Sequence, residues 1–231
     1  MSNPSTVADF VPAIPRLEAG DRLGRAEFEQ RYFAMPDSPK IELIEGEVHM
    51  PSPVRTDLHG TPHSHISGLL AVYAWNTPGV RSAVEASLRL DFENEPRPDA
   101  FLMIEAALGG QAKMDDDGFV SGAPELVVEI SASTVSIDLH KKLRIYQRNG
   151  VREYVVWRVV DRMMDWFVQD NGVLVKRAFD AILKSQAFPG LWLNAADLVS
   201  NRTQSLLATL MEGLATAEHA AFVGELRSKK R

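Results

Sequence analysis

The sequence contains no cysteine. That absence excludes disulfides, thiolate zinc sites and a cysteine nucleophile. Long apolar runs are also missing. None approaches the ~20 residues a bilayer crossing needs, so no transmembrane helix is expected. Positive charge is in deficit: 25 Lys and Arg face 31 Asp and Glu, a net charge of −6. This argues against a protein held on nucleic acid by bulk charge alone, while a local basic groove, or metal ions that neutralise phosphate, remain compatible. Several catalytic signatures are absent: there is no H-E-x-x-H and no G-x-S-x-G elbow, and Gly46, Gly109-Gly110 and Gly118 form no phosphate loop. The first 20 residues carry Asp9, Glu18 and three prolines without an apolar stretch, which does not read as a secretory signal. A cytoplasmic protein is the expectation.

What is present is ordinary globular composition, 45% apolar and 24% charged, over 231 residues. That length can bury a sizeable core. Residues 1–21 read as a loose leader, 22–200 as one domain, and 201–231 as a C-terminal helix with a basic tail. Within the domain, 22–34 suggests a short helix and 41–50 a strand pair turning at Glu45-Gly46, closed by Pro51-Ser-Pro53. Ile66, Leu69, Leu70 and Tyr73 fall at helical spacing, which predicts an amphipathic helix over 57–76. Strands are expected over 80–91, 99–104, 125–130 and 153–160, with an acidic, Gly-rich stretch at 105–124. After Ile130 the apolar period changes from two to about 3.6, predicting a helix over 135–149. Asp170-Asn-Gly172 marks a hairpin. This order of elements implies an α/β core with mixed sheet pairing.

Charged residues that interrupt apolar patterns are the candidate functional groups. Glu129 sits among Val127, Val128 and Ile130, and Asp99 opens Ala-Phe-Leu-Met-Ile104. A buried carboxylate must be paired, hydrogen-bonded, metal-bound or protonated. Two that meet at one sheet edge make a Mg²⁺ site, because hard cations take oxygen ligands. Each alone is equally well an acid at a strand end or an ion-pair partner. Leu139, Lys142, Leu143 and Tyr146 are spaced i, i+3, i+4, i+7, so Lys142 lies on the inward stripe of its helix. Acids that hold metal, with a lysine beside them, suit phosphoryl chemistry. A surface ion pair with Asp138 at i, i+4 is the rival reading of Lys142.

These residues carry a resemblance. Pro98-Asp99 followed by Glu129 on an apolar strand resembles the PD-(D/E)XK nuclease superfamily. More narrowly, the chain resembles the Uma-type restriction endonuclease family of bacteria. The matching stretches are Glu42-Leu-Ile-Glu-Gly-Glu-Val48 with Met50-Pro-Ser-Pro53, Arg97-Pro-Asp-Ala100, Pro124-Glu-Leu-Val-Val-Glu-Ile-Ser131 and Asp138-Leu-His-Lys-Lys-Leu-Arg-Ile-Tyr146. Gly150-Val-Arg-Glu-Tyr154 and Phe188-Pro-Gly-Leu191 complete the series. The resemblance implies a restriction-endonuclease-like core, a mixed central β-sheet flanked by helices. It also implies a Mg²⁺-dependent DNA endonuclease, with Mn²⁺ as a substitute. By that resemblance Asp99 and Glu129 are the metal carboxylates. The superfamily's lysine belongs at position 131, where this chain has Ser131. In the Uma-type pattern it is carried on the next helix, at Lys142. Glu47 matches a hairpin acid that either joins the metal site or faces solvent, and His59 a histidine at the start of the first core helix.

His59 and His63 are also at i, i+4, a spacing that can hold Zn²⁺, but no third ligand set accompanies them. Two further functions compete with the nuclease. One is a catalytically silent nuclease-fold module binding DNA or a protein partner. The other takes the paired acids as a glycosidase's acid and nucleophile, against which Lys142 and the lack of a sugar platform count. Met163, Met164, Trp166 and Phe167 pack either on a second copy or on the chain's own helix, and a homodimer is one expectation.

Overall fold

The computed structural model describes residues 14–36, 40–50 and 55–229. Most of the leader, the Pro51-Ser-Pro53 stop and the last two residues of the basic end lie outside the described residues. The chain runs through α1 (Arg25–Phe33), then a hairpin of β1 (Glu42–Ile44) and β2 (Glu47–His49). A wide turn (Thr56–Gly60) feeds α2 (Thr61–Asn76), followed by β3 (Val80–Val84), β4 (Leu88–Arg89), β5 (Ala100–Ile104), β6 (Lys113–Met114), β7 (Val120–Ser121) and β8 (Leu126–Ser131). A second wide turn (Ile137–Lys142) leads into α3 (Leu143–Arg148) and then β9 (Glu153–Arg158), β10 (Met163–Asp170) and β11 (Val173–Arg177). β12 (Ile182–Lys184), β13 (Trp192–Asn194), α4 (Ala195–Val199), α5 (Thr203–Leu214) and α6 (Ala217–Ser228) complete it.

The central sheet has six strands in the order β11-β10-β9-β8-β5-β3. Only β8 and β9 pair in parallel, and the wide turn with α3 forms the crossover that such a pair requires. Strand alternation divides the sheet's side chains between two layers. Leu102, Leu126, Val128, Val155 and Trp157 face α2 and α5. Phe101, Val127, Tyr154 and Val156 face α3, through Ile145 and Tyr146. Glu129 and Ser131 share the parity of Val127, so they lie on the α3 face. β5 pairs β8 with Ala100 opposite Val128. One step further in that register, Asp99 stands across from Glu129, on the same face.

A smaller core fixes the β1–β2 hairpin. Leu43 and Val48 pack with Phe28 of α1 and Leu17. Glu42 and Ile44, on the other side of β1, therefore face the main domain, where Ile44 joins the α3-side core. The hairpin turn uses left-handed Glu45 (φ 53°) and Gly46 (φ 72°).

Three element boundaries differ from the sequence expectation. The strand expected over 80–91 breaks at Glu85, which has a left-handed φ of 48°, and β4 leaves for a small sheet with β7 and β6. The acidic 105–124 stretch supplies β6 and β7 of that sheet. The single C-terminal helix expected within 201–231 is two helices, α5 and α6. Thr216 caps the second through its side-chain oxygen, which accepts from His219 N. Leu206, Leu210 and Leu226 from these helices join the α2-side core. The 160–180 hairpin buries Met164, Trp166 and Phe167 in its own chain and leaves Met163 half-exposed. Val160, Val173 and Val175 of the same segment are exposed as well.

Candidate metal and phosphoryl-transfer site

One cleft of about 580 Å³ opens beside the end of β8, lined on one side by the hairpin and on the other by both wide turns. Asp99 sits at its floor, 3% exposed. Its Oδ2 accepts a 2.6 Å hydrogen bond from the Ile130 backbone N–H, which locks β5 to β8 at this point. Its Oδ1 lies 3.2 Å from His59 Nε2 and 3.2 Å from Lys40 Nζ. Lys40 Nζ also lies 3.5 Å from Glu85 Oε1. His59, Glu85 and Asp99 each offer a ligand atom, and these atoms all lie within 4.8 Å of one another. Glu85, with a left-handed backbone (φ 48°), stands beside Asp99 without lining the cleft itself, and its N–H donates to Asp99 O at 3.2 Å.

A second cluster occupies the α3 side. Lys142 Nζ is 2.9 Å from Glu129 Oε1, 2.9 Å from Glu42 Oε1 and 3.8 Å from Asp138 Oδ1. Tyr146 O–H donates to Glu129 Oε1 at 2.9 Å. Lys142 is buried, so this is not the surface ion pair that its spacing to Asp138 also allowed. The wide turn puts both Asp138 and Lys142 on the inner face. Ser131 occupies the motif's usual lysine position. Its Oγ lies 3.3 Å from Thr134 Oγ1, which donates to Asp138 Oδ2 at 2.6 Å. The space above Glu129 is thereby left to the ammonium arriving from the helix.

The electrostatics of the cleft run in one direction. Burial raises the Glu129 carboxyl well above its ordinary range. Lys142 opposes this, and Asp99, Asp138 and Glu42 add to it. Asp138 is raised by burial too, against Lys142 and Thr134. Burial works against the charge on Lys142, yet Glu129, Glu42, Asp138 and Asp99 outweigh it and hold the ammonium well above its usual value. Lys40 behaves in the same way, with Asp99 and Glu129 foremost among its acids. Acids raised and lysines raised together mark a surplus of buried negative charge. A divalent cation would discharge it, and the donor set of one imidazole and two carboxylates fits such an ion.

Of the residues singled out from sequence, Asp99, Glu129, Lys142 and His59 all line this cleft. Glu47 does not. It stands opposite Ile44, two ladder positions from the Glu42–His49 pair, or about 7 Å towards the turn. There it meets Lys141 Nζ at 3.1 Å and Arg22 Nη2 at 3.6 Å. His59 and His63 stack at 5.7 Å, but His63 Nε2 is engaged by the Asp99 backbone oxygen at 2.8 Å. The histidine pair therefore does not form the two-ligand zinc face that its spacing allowed. Sequence reading missed Glu42, Glu85 and Lys40. Glu42 was discoverable in part, since it alternates with Ile44 on the inward side of a recognised hairpin. Glu85 and Lys40 carried no signal, because a turn and a coil position have no period.

The fold is an α/β core with a mixed central sheet flanked by helices, and a candidate metal-binding group sits beside that sheet. The chain belongs to the Uma2 family, described as "Putative restriction endonuclease", whose sequence pattern matches residues 25–196. Among solved structures, one match is a "putative nuclease belonging to DUF820" from Anabaena variabilis ATCC 29413. It is 16% identical, with a TM-score of 0.54, covering 74% of this chain and 96% of the other. At that identity the likeness speaks for the fold alone. No curated protein matches the chain significantly. Among the described residues no helix is long and apolar enough to cross a membrane.

Proposed function

We propose that the protein is a metal-dependent endonuclease that hydrolyses DNA phosphodiester bonds, with Mg²⁺ or Mn²⁺ as cofactor. The observation that carries this reading is that Asp99, Glu129, Lys142 and His59, from four separate segments, line one acidic cleft. In this reading Asp99, His59 and Glu85 would hold the ion. A divalent ion bound there would stabilise charge on phosphate and acidify a water. Lys142 is held charged at neutral pH by its acidic neighbours, so it acts as a fixed positive charge and not as a base. It orients Glu129 and meets charge that develops on the phosphate. Tyr146 holds the same Glu129 oxygen from the other side.

The test is nicking of supercoiled plasmid with Mg²⁺ or Mn²⁺, alongside Asp99→Ala and Glu129→Gln. Metal-dependent nicking lost in both variants, with thermal unfolding preserved, supports the reading. Nicking that survives both substitutions overturns it. A second reading, a silent nuclease-fold module, is favoured by the pairing of the cationic residues outside the cleft. Lys141, Arg144 and Arg148 pair with nearby acids, to Glu47, Glu45 and Asp91. It predicts a partner interaction with no metal-dependent hydrolysis, and salt insensitivity would mark that partner as protein.

A further inference from the structure

The cation position beside Asp99 differs from an all-oxygen site in one donor. His59 Nε2 lies 3.2 Å from Asp99 Oδ1, and Glu85 supplies the third ligand atom of the group. We propose that this position selects a first-row transition ion over Mg²⁺, and that the His59 imidazole makes the selection. The inference deepens the nuclease reading by naming the class of its metal. It depends on that reading for location but not for any cleavage chemistry.

Three features of the cleft support it. The first is donor chemistry. Mg²⁺ is a hard ion that demands near-octahedral oxygen coordination and releases water reluctantly. Imidazole nitrogen binds Fe²⁺, Co²⁺, Ni²⁺ and Zn²⁺ far more readily, and affinity rises from Mn²⁺ along that series. The second is that the nitrogen is held in place. His59 lies on the wide turn that opens α2, and its ring stacks on His63 with an interplanar angle of 5°. His63 is itself tied to the Asp99 backbone oxygen at 2.8 Å, so the imidazole and the carboxylate share one rigid support. Orientation of this kind by neighbouring groups is what metal-binding histidines use.

The third is that a cation already stands at the position. The Lys40 ammonium lies 3.2 Å from Asp99 Oδ1 and 3.5 Å from Glu85 Oε1, two of the three ligands. Glu85 joins them from a left-handed backbone conformation with φ 48°, which a glutamate adopts at a cost. The costly conformation brings a carboxylate to a place that is already acidic. The other oxygen of that carboxylate, Oε2, stands 3.9 Å from Arg97 Nη2. A divalent ion held by Asp99 and Glu85 would take the place of the Lys40 ammonium.

The experiment is calorimetric titration of the full chain with Mg²⁺, Mn²⁺ and Co²⁺, together with visible absorption of the Co²⁺ complex. The wild type is compared with His59→Asn, which keeps a polar side chain near Asp99 but offers oxygen in place of the imidazole. We expect Co²⁺ to bind at least about tenfold more tightly than Mg²⁺, with Mn²⁺ between them. In His59→Asn that preference falls at least about tenfold, mostly by loss of Co²⁺ affinity, and the Co²⁺ spectrum changes. Equal affinities in the wild type overturn the inference, as does a preference untouched by His59→Asn or a failure to bind any of the three ions. Thermal unfolding of the variant shows that the comparison is between folded proteins. Plasmid nicking on the same samples tests the nuclease reading separately. Selective binding without nicking leaves the inference standing, and Mg²⁺-supported nicking without selectivity leaves only the nuclease reading.

Discussion

Replacing Lys142 with methionine removes one charge from the most densely charged part of the core while nearly conserving shape. The ammonium touches Glu129 and Glu42 at 2.9 Å each and stands 3.8 Å from Asp138, with its side chain 6% exposed. Removing one partner from a buried ion pair costs about 3–5 kcal/mol, because the carboxylates left behind have no counter-charge. In a domain of this size that lowers Tm by roughly 6–20 °C. The cost depends on pH in a definite direction. The folded-state pKa of Lys142 is raised, so its stabilisation is fully present below the ordinary lysine range and is lost only as pH rises through the folded value. At neutral pH the substitution therefore removes all of it. The Glu129 carboxyl is already raised by burial, and without Lys142 it rises further. An acid raised in the folded state makes the native protein bind more protons than the unfolded chain, so stability falls as pH increases. The variant should be penalised most at pH 8 and least near pH 5. Urea unfolding of Lys142→Met, Glu129→Gln and the double variant at both pH values measures this. The double variant should recover part of the loss, with a coupling of about 1–3 kcal/mol. A Lys142→Met protein within about 0.5 kcal/mol of wild type at pH 8, or a cost independent of pH, refutes the reasoning.

Other regions give independent tests. Glu95 is pushed up to about 8 by burial and by its hydrogen bond to Glu29, against Arg89 and Arg25, so wild-type stability should decline from about pH 4.5 to about pH 8. Glu95→Gln should flatten that slope, by at most ~1.4 kcal/mol per pH unit, in chemical denaturation across the range. Glu47→Ala should leave Mn²⁺ affinity in calorimetry unchanged, since Glu47 pairs with Lys141 and Arg22 away from the cleft. Leu102→Ala, in the fully buried strand β5, should cost about 2–5 kcal/mol of unfolding free energy. At Gly190, with φ +88°, an added Cβ would lie 2.7 Å from His219 Cβ and 2.9 Å from the Gly213 oxygen. Gly190→Ala should therefore lower Tm by several degrees, from a loss of about 1–3 kcal/mol.

Local periodicity and turn chemistry made much of the fold legible. Alternation and apolar runs located β5, β8 and β9, and helical spacing located α2. Asn171-Gly172, with φ of 50° and 83°, closed the β10–β11 hairpin as that dipeptide usually does. The inward direction of Lys142 followed from its place in the i, i+3, i+4, i+7 stripe. Each of these depends on neighbours within a few residues, where backbone geometry dictates which side chains share a face.

Only tertiary structure decided which faces meet. The strand expected over 80–91 divides at Glu85, because its second half pairs with β7 and its first with β5. The C-terminal segment breaks at Thr216 so that Leu210 and Leu226 can both reach the α2-side core. Glu42 and Glu47 lie on one face of one hairpin and look alike in sequence. The packing of Leu43 and Val48 on Phe28 sets the hairpin's position over the cleft, and with it which of the two acids meets Lys142. Glu85 and Lys40 reach Asp99 from segments with no repeating pattern. A period can say that a charged residue points inward. The groups it meets there come from distant parts of the chain, and chain folding alone brings them together.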